Sequence, residues 1–212
     1  VLIAAPTGSG KTFAAFLCAI DELVVQSRAS ALPDGVQILY VSPLKALSND
    51  IEKNLQIPLA GIDGWLESNS QRLSGIRAMV RTGDTTPGER EQMRRRPPHI
   101  LVTTPESLYL LLTSASGRAM LSTVREVIVD EIHALAESKR GDQLMLALSR
   151  LQTIAPGLRR VGLSATVEDP ATIARILARN PDPCAILHAD PGPEPDISML
   201  VMGGDLKRRE KL

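Results

Sequence analysis

Two hydrophobic rhythms alternate along this chain. Short runs apolar at nearly every position, Val1 to Ala4, Val36 to Val41, Ile100 to Thr103, Val127 to Val129 and Val161 to Leu163, are each followed by a stretch in which apolar residues recur every three or four positions. An uninterrupted apolar run of that length reads as a strand buried on both faces, and the longer spacing reads as one face of a helix. The first helical stretch, Phe13 to Val25, has an expected core face of Phe13, Phe16, Leu17, Ile20 and Val24. The second follows Ser42-Pro43 and carries Leu44, Leu47, Ile51 and Leu55 as far as Ile57. Ile76, Ala78 and Val80 alternate with polar residues, which predicts another strand, closed by Thr82-Gly83-Asp84. Thr86-Pro87-Gly88-Glu89 combines a capping box with proline at the first helical position, so a helix is expected from there toward Arg95. Thr104-Pro105-Glu106 opens a helix with Leu108, Leu111 and Leu112; Leu144, Leu148 and Leu151 mark another; and Asp169-Pro170 caps one through Ile173 and Leu177.

Repeated strand-helix alternation predicts an α/β fold with a mostly parallel sheet and helices on both faces. In such sheets ligands bind beyond the carboxyl ends of the strands, and each polar motif of this chain follows a strand. All of those motifs therefore fall on one rim. Gly61 to Gly75, with the single tryptophan Trp65, reads as irregular connection or a short helix. From Asn180 the composition shifts, with Pro181, Pro183, Pro191, Pro193 and Pro195 around a short strand candidate at Ala185 to Leu187 and another at Ile197 to Met202. The expected division is one domain over residues 1–180 and a proline-rich extension over 181–212, either an interlobe linker or an edge of the same sheet.

With 212 residues the chain has enough length for one substantial core. No apolar run approaches the ~20 residues of a membrane span, so no membrane association is expected. Lys+Arg and Asp+Glu stand equal at 24 each, so any nucleic-acid contact must come from local patches. Cys18 and Cys184 lie in no metal-ligand spacing and read as buried thiols of a reducing compartment. The chain opens at Val1, inside a strand, and reads as a segment of something longer.

Between the first strand and first helix stands APTGSGKT, Ala5 to Thr12. Strand, glycine-rich loop and helix in that order make a phosphate-binding loop of the pattern G-x-x-x-x-G-K-[ST], with Ala5 where the first glycine is usual. Gly8 and Gly10 allow successive backbone N–H groups to turn toward one anion, and the helix N-terminus adds its dipole. Pro6, Thr7, Gly8, Ser9, Gly10, Lys11 and Thr12 are the expected phosphate-binding residues. Lys11 would reach the β- and γ-phosphates, and the Thr12 hydroxyl would ligate Mg2+. A phosphate loop needs a second carboxylate for the metal and a group to activate water. Asp130 and Glu131, directly after the Val127 to Val129 run, supply both candidates.

His133 lies two residues on, and the string DEIH after such a loop, with Ser164-Ala165-Thr166 further along, resembles the DExH-box helicases of superfamily two. SPLKALSND (Ser42 to Asp50), RTGDTTPGER (Arg81 to Arg90) and TTPESLYLLL (Thr103 to Leu112) resemble that superfamily's nucleic-acid-contacting motifs. With VDEIHAL and the following Lys139-Arg140-Gly141, the chain is similar to the large helicase-related (Lhr) family of ATP-dependent DNA helicases over roughly Val1 to Val167.

The resemblance implies a RecA-like first motor domain. It gives Lys11, Asp130, Glu131 and His133 the catalytic work, and makes His133, Ser164 and Thr166 a link between nucleotide and nucleic acid. Ser42, Lys45, Gly83, Asp84, Thr104, Pro105 and Glu106 would line the strand-binding face. Helix N-termini near Pro43, Pro87 and Pro105 suit backbone phosphates, whereas 2% aromatic residues make base stacking a minor resource. Arg90, Arg94, Arg95 and Arg96 either extend an anionic track or form a solvated charged face. Ala5 is compatible with the family. The implied partners are single-stranded DNA or an RNA–DNA hybrid and a second RecA-like domain, in a cytoplasmic, nucleoid-associated protein. No second such unit follows Thr166, so the isolated chain is expected to hydrolyse ATP poorly. A non-catalytic nucleotide-dependent binding or scaffold module is the competing reading. A small-molecule P-loop kinase is disfavoured, since it needs neither SAT nor the rim motifs.

Overall fold

The computed structural model describes residues 1–43, 45–71, 74–136, 138–178 and 184–188, with side chains in α2 described from Leu55 onward. Among the described residues seven strands form one sheet: β1 (Leu2–Ala4), β2 (Ile38–Val41), β3 (Ala78–Arg81), β4 (Ile100–Thr103), β5 (Glu126–Val129), β6 (Arg159–Ser164) and β7 (Ile186–His188). Their order is β3-β4-β2-β5-β6-β1-β7, and every pairing is parallel. The central strands β2, β4 and β5 are buried on both faces, as their continuous apolar runs require. The sheet divides the core in two. Leu39, Val41, Leu101, Val127 and Val129 pack on one side with Leu108, Leu112, Leu144 and Leu148. Ile38, Tyr40, Ile100, Val102 and Ile128 pack on the other with Phe16, Ile20, Leu23, Leu55 and Leu59. β7 pairs with β1, Leu2 opposite Ile186, and so lies at the sheet edge.

The helices are α1 (Lys11–Ala29), α2 (Lys45–Ser68), α3 (Pro87–Arg95), α4 (Pro105–Thr113), α5 (Ala115–Leu121), α6 (Ile132–Leu135), α7 (Lys139–Ile154) and α8 (Pro170–Leu177). The predicted caps of α3, α4 and α8 are all present. Thr86 and Glu89 form a reciprocal capping box on α3, Thr104 Oγ1 accepts from the Ser107 N–H on α4, and Asp169 accepts from the Thr172 N–H on α8.

Several expectations need correction. The buried face of α1 runs through Ala15, Phe16, Ala19, Ile20 and Leu23, while Phe13 and Leu17 are exposed. The buried arc centres on Phe16, Ile20 and Leu23 with Ala15 and Ala19 on one flank, and at about 100° per residue Phe13 and Leu17 fall beyond the other flank. α2 does not stop near Ile57 but passes through Pro58 to Ser68, because Leu55, Leu59 and Leu66 keep one stripe buried. The first half of Gly61 to Gly75, through Ser68 and including the exposed Trp65, is therefore helix, the second of the two expected readings, though as the end of α2 and not a short helix of its own. The cysteines are not buried: Cys18 is exposed on the outer face of α1, and Cys184 is half-buried beside the edge strand. The expected strand at Ile197 to Met202 and the charged Lys207 to Leu212 lie outside the described residues, as does the side chain of Lys45.

Candidate nucleotide and nucleic-acid sites

Because all strands run in one direction, their carboxyl ends meet on one rim, and the strand order divides that rim in two. β5, β6 and β1 are neighbours, so DEIH, SAT and the phosphate loop emerge side by side. β3, β4 and β2 are neighbours too, which brings the turn after Arg81, the start of α4 and Ser42 together on the other half.

The phosphate loop is shaped by its glycines. Gly8 and Gly10 have φ of 83° and 82°, the left-handed region that side-chain-bearing residues avoid. Gly10 serves as N-cap of α1, and no side chain caps that end. The first-turn N–H groups of α1 are therefore free for an anion. A tight turn, Ser9 N–H to Pro6 C=O at 3.2 Å, closes the loop. The Lys11 ammonium folds over it and donates to the Pro6 carbonyl at 3.2 Å, leaving the residue only 8% exposed. A lysine held this way stands at the loop's centre as a positive charge.

Opposite lies Asp130, 3% exposed. Thr12 Oγ1 donates to its Oδ2 at 3.4 Å, across 118 residues of sequence. Tyr40, on β2, donates its hydroxyl to the same oxygen, and the Glu131 N–H binds Oδ1 at 2.9 Å. Tyr40 is fully buried and stacks on Phe16, with ring centroids 4.6 Å apart. Burial, then the Asp130 charge, pushes its hydroxyl well above the usual tyrosine range, so it is a permanent donor. Sequence reasoning missed this residue. The available signal was a single hydroxyl-bearing side chain inside the otherwise aliphatic run Ile38–Val41.

Glu131 occupies φ 48°, ψ 39°, left-handed backbone on a residue with a side chain. That geometry turns the chain sharply from β5 into α6 and carries a cost of about 1–2 kcal/mol. Its Oε2 lies 3.4 Å from His133 Nε2. On its other side His133 Nδ1 accepts from the Ala165 N–H at 3.2 Å, which assigns the ring proton of the neutral form to Nε2. The contact from DEIH to SAT thus runs through a backbone N–H. The buried Ser164 hydroxyl donates instead to the Ala165 carbonyl at 2.9 Å, and Thr166 is exposed.

On the other half of the rim Ser42 is buried, its N–H bound to the Thr103 carbonyl at 3.0 Å. Gly83 and Asp84 form an exposed turn braced by Arg90, which donates to the Thr85 carbonyl at 2.8 Å and the Gly83 carbonyl at 3.1 Å. Thr104 and Pro105 are buried at the start of α4, and Glu106 is half exposed beside them. Arg94 and Arg95 direct their guanidinium groups to Glu91, at 2.7 and 2.8 Å, and Arg96 is exposed. The Arg94 bond, followed by that of Arg95, lowers the Glu91 carboxyl to about 2. The paired arginines form a solvated face, and Arg90 braces the turn.

The DEAD/DEAH box helicase family model matches residues 1–173. ATP-dependent helicase Lhr-Core protein 2 of Thermococcus barophilus is 50% identical over 84% of this chain and 20% of its own length. ATP-dependent helicase Lhr-Core of Methanothermobacter thermautotrophicus is 52% identical over the same shares. The chain thus spans about a fifth of the length of these relatives. The structure of Mycobacterium smegmatis helicase Lhr bound to ssDNA and AMP-PNP superposes with TM-score 0.81 at 49% identity, over 90% of this chain and 24% of that one. The RecA-like arrangement expected from the motifs is therefore the observed one. With a family model covering most of its length and its motifs ranged along a single rim, this chain belongs to the DEAD/DEAH box helicase family.

Proposed function

We propose that this chain is the nucleotide-binding motor lobe of an ATP-dependent helicase that moves along single-stranded nucleic acid. The observation that carries the reading is the meeting of Thr12 Oγ1 and Asp130 Oδ2 at 3.4 Å beside the buried Lys11. Two hard oxygen donors converging next to a loop of open N–H groups fit magnesium with a nucleoside triphosphate. Pro6 to Thr12 would hold the phosphates of ATP, and Thr12 and Asp130 would hold Mg2+, which supplies charge neutralisation at the phosphoryl oxygens. Glu131 would orient water and take its proton. His133, hydrogen-bonded to the Ala165 N–H, would keep Glu131 aligned with the SAT segment.

The opposite half of the rim, with Ser42, Lys45, Gly83, Asp84 and Thr104 to Glu106, would line the face that takes a nucleic-acid backbone, DNA or an RNA–DNA hybrid. The ssDNA and AMP-PNP bound to the M. smegmatis protein support both assignments. Residues 1–180 would form the lobe, and the segment from 181 would lead toward a second RecA-like lobe in a cytoplasmic, nucleoid-associated protein. Without arginines from a second lobe, the chain alone would turn over ATP more slowly by about 10³ to 10⁵.

ATP hydrolysis by the full-length protein, measured with and without single-stranded DNA, tests the proposal. Glu131→Gln should lower the stimulated rate by about 10² or more. Equal rates in wild type and variant would remove Glu131 from this role, and a wild type without turnover would favour the scaffold alternative.

A further inference from the structure

Glu106 poses an electrostatic problem. It stands in the first turn of α4, on the half of the rim proposed to hold backbone phosphates, where a bare carboxylate would repel the ligand. The structure supplies an answer from a distant element. Arg140, in the first turn of α7, donates from Nε to Glu106 Oε1 at 2.6 Å and from a terminal nitrogen to the Pro43 carbonyl at 2.9 Å. Burial, the largest influence, pushes the Glu106 carboxyl up, but the Arg140 bond and charge, together with hydrogen bonds from the Glu106 N–H and Thr104, outweigh it, so the net shift is down.

Pro43 lies two residues before Lys45, where α2 begins, and Glu106 belongs to α4, so one guanidinium fork spans the approaches to two rim helices. The base from which Arg140 reaches is itself fixed. Ser138 caps α7 by accepting from the Gly141 N–H at 3.1 Å, while its own N–H and hydroxyl bind the Leu135 carbonyl of α6 at 3.0 and 2.9 Å. A Cβ on Gly141 would lie 1.9 Å from that same carbonyl, so α7 begins in direct contact with the helix that carries His133.

We propose that Arg140 is a positioning residue for nucleic-acid binding: it neutralises Glu106 and sets the spacing between the starts of α2 and α4 from the DEIH side of the fold. This rests on the helicase reading above. Arg140 acts through Glu106 and Pro43 and makes no phosphate contact of its own. Lysine cannot replace it, because a single ammonium lacks the planar fork that serves two acceptors in different directions.

The test is binding of a fluorescent oligodeoxynucleotide to the full-length protein, followed by anisotropy across a salt series and therefore independent of turnover. Arg140→Ala should raise Kd on the order of tenfold, and Arg140→Lys, which keeps a charge beside Glu106 but loses the fork, by a smaller factor. Adding Glu106→Gln to Arg140→Ala should recover most of that loss, since the unpaired carboxylate is then gone. The slope of log Kd against log salt should stay as in wild type. A wild-type Kd in both single variants would overturn the proposal. So would a slope shallower by about 0.7, the mark of a lost phosphate contact, or a double variant no better than Arg140→Ala. A wild type that fails to bind the oligonucleotide overturns this inference together with the nucleic-acid half of the helicase reading, whereas one that binds but does not hydrolyse ATP touches only the hydrolytic half.

Discussion

The hydroxyl of Tyr40 and the carboxylate of Asp130, 90 residues apart in sequence, are joined inside the sheet by a hydrogen bond to Oδ2, the oxygen that Thr12 also reaches. Tyr40→Phe keeps the ring stacked on Phe16 and removes only the donor to a buried carboxylate. A hydrogen bond to a charged group contributes about 1.5–3 kcal/mol, so the variant should lose about 2 kcal/mol in urea denaturation. Its ATP hydrolysis should fall roughly tenfold as Asp130 gains rotational freedom. An unchanged denaturation midpoint would show that the tyrosine hydroxyl does not hold Asp130.

Glu131 combines the expected water-orienting role with left-handed backbone, and these two properties can be separated by substitution. Glycine adopts that conformation freely and alanine does not. Glu131→Gly should therefore be more stable than Glu131→Ala by about 1 kcal/mol, with ATP hydrolysis lost in both. Chemical denaturation of the two variants measures the difference. Equal stabilities would mean that the turn from β5 into α6 relaxes once the carboxylate is gone.

What was legible in the sequence is what is local. The phosphate loop, the caps at Thr86, Thr104 and Asp169, and the strand runs within the described residues are read from neighbours within a few residues, and each is found where the pattern predicts. The sheet order followed from the strand-helix alternation only as far as parallel pairing. The interactions that build the site join distant positions: Tyr40 with Asp130, His133 with the Ala165 N–H, Arg140 with Glu106 and Pro43. No periodicity encodes them. The outward turn of Phe13 and Leu17 was illegible for a different reason, since hydropathy alone favours burying phenylalanine over the alanines Ala15 and Ala19 that flank the arc actually buried.

Identical glycine-to-alanine changes should have opposite signs in two helices. At Gly141 the added methyl would sit 1.9 Å from the Leu135 carbonyl oxygen, which is backbone and cannot turn aside. At Gly61 and Gly64, on the exposed surface of α2, it would meet nothing within 4 Å. Gly141→Ala should cost more than about 2 kcal/mol, whereas Gly61→Ala or Gly64→Ala should stabilise by about 0.5–1 kcal/mol. Thermal denaturation of the three variants checks the contrast, and a neutral Gly141→Ala would show that the α6–α7 contact is not tight.

A buried histidine away from the site should govern stability in mild acid. His99, 2% exposed just before β4, accepts the Arg77 N–H on Nδ1 at 3.1 Å. Protonation would set an N–H against that N–H. Burial first, then the Arg77 charge, lowers its pKa to about 4; Arg96 adds to the depression and Asp34 opposes it. The unfolded chain, with an ordinary histidine near 6.5, takes up the proton first as pH falls. The stabilisation is therefore complete above about pH 6.5 and is lost progressively toward pH 4, by about 2–3 kcal/mol at pH 4.5. His99→Asn offers a non-titrating acceptor to the Arg77 N–H. Urea midpoints at pH 7 and pH 4.5 should show a smaller drop in the variant than in wild type. Carboxylates held low by their partners, such as Glu91 and Glu106, contribute equally to both proteins, so the difference between the two drops isolates His99. Equal drops would mean that His99 keeps an ordinary pKa in the folded protein, and its burial against Arg77 would then carry no acid sensitivity.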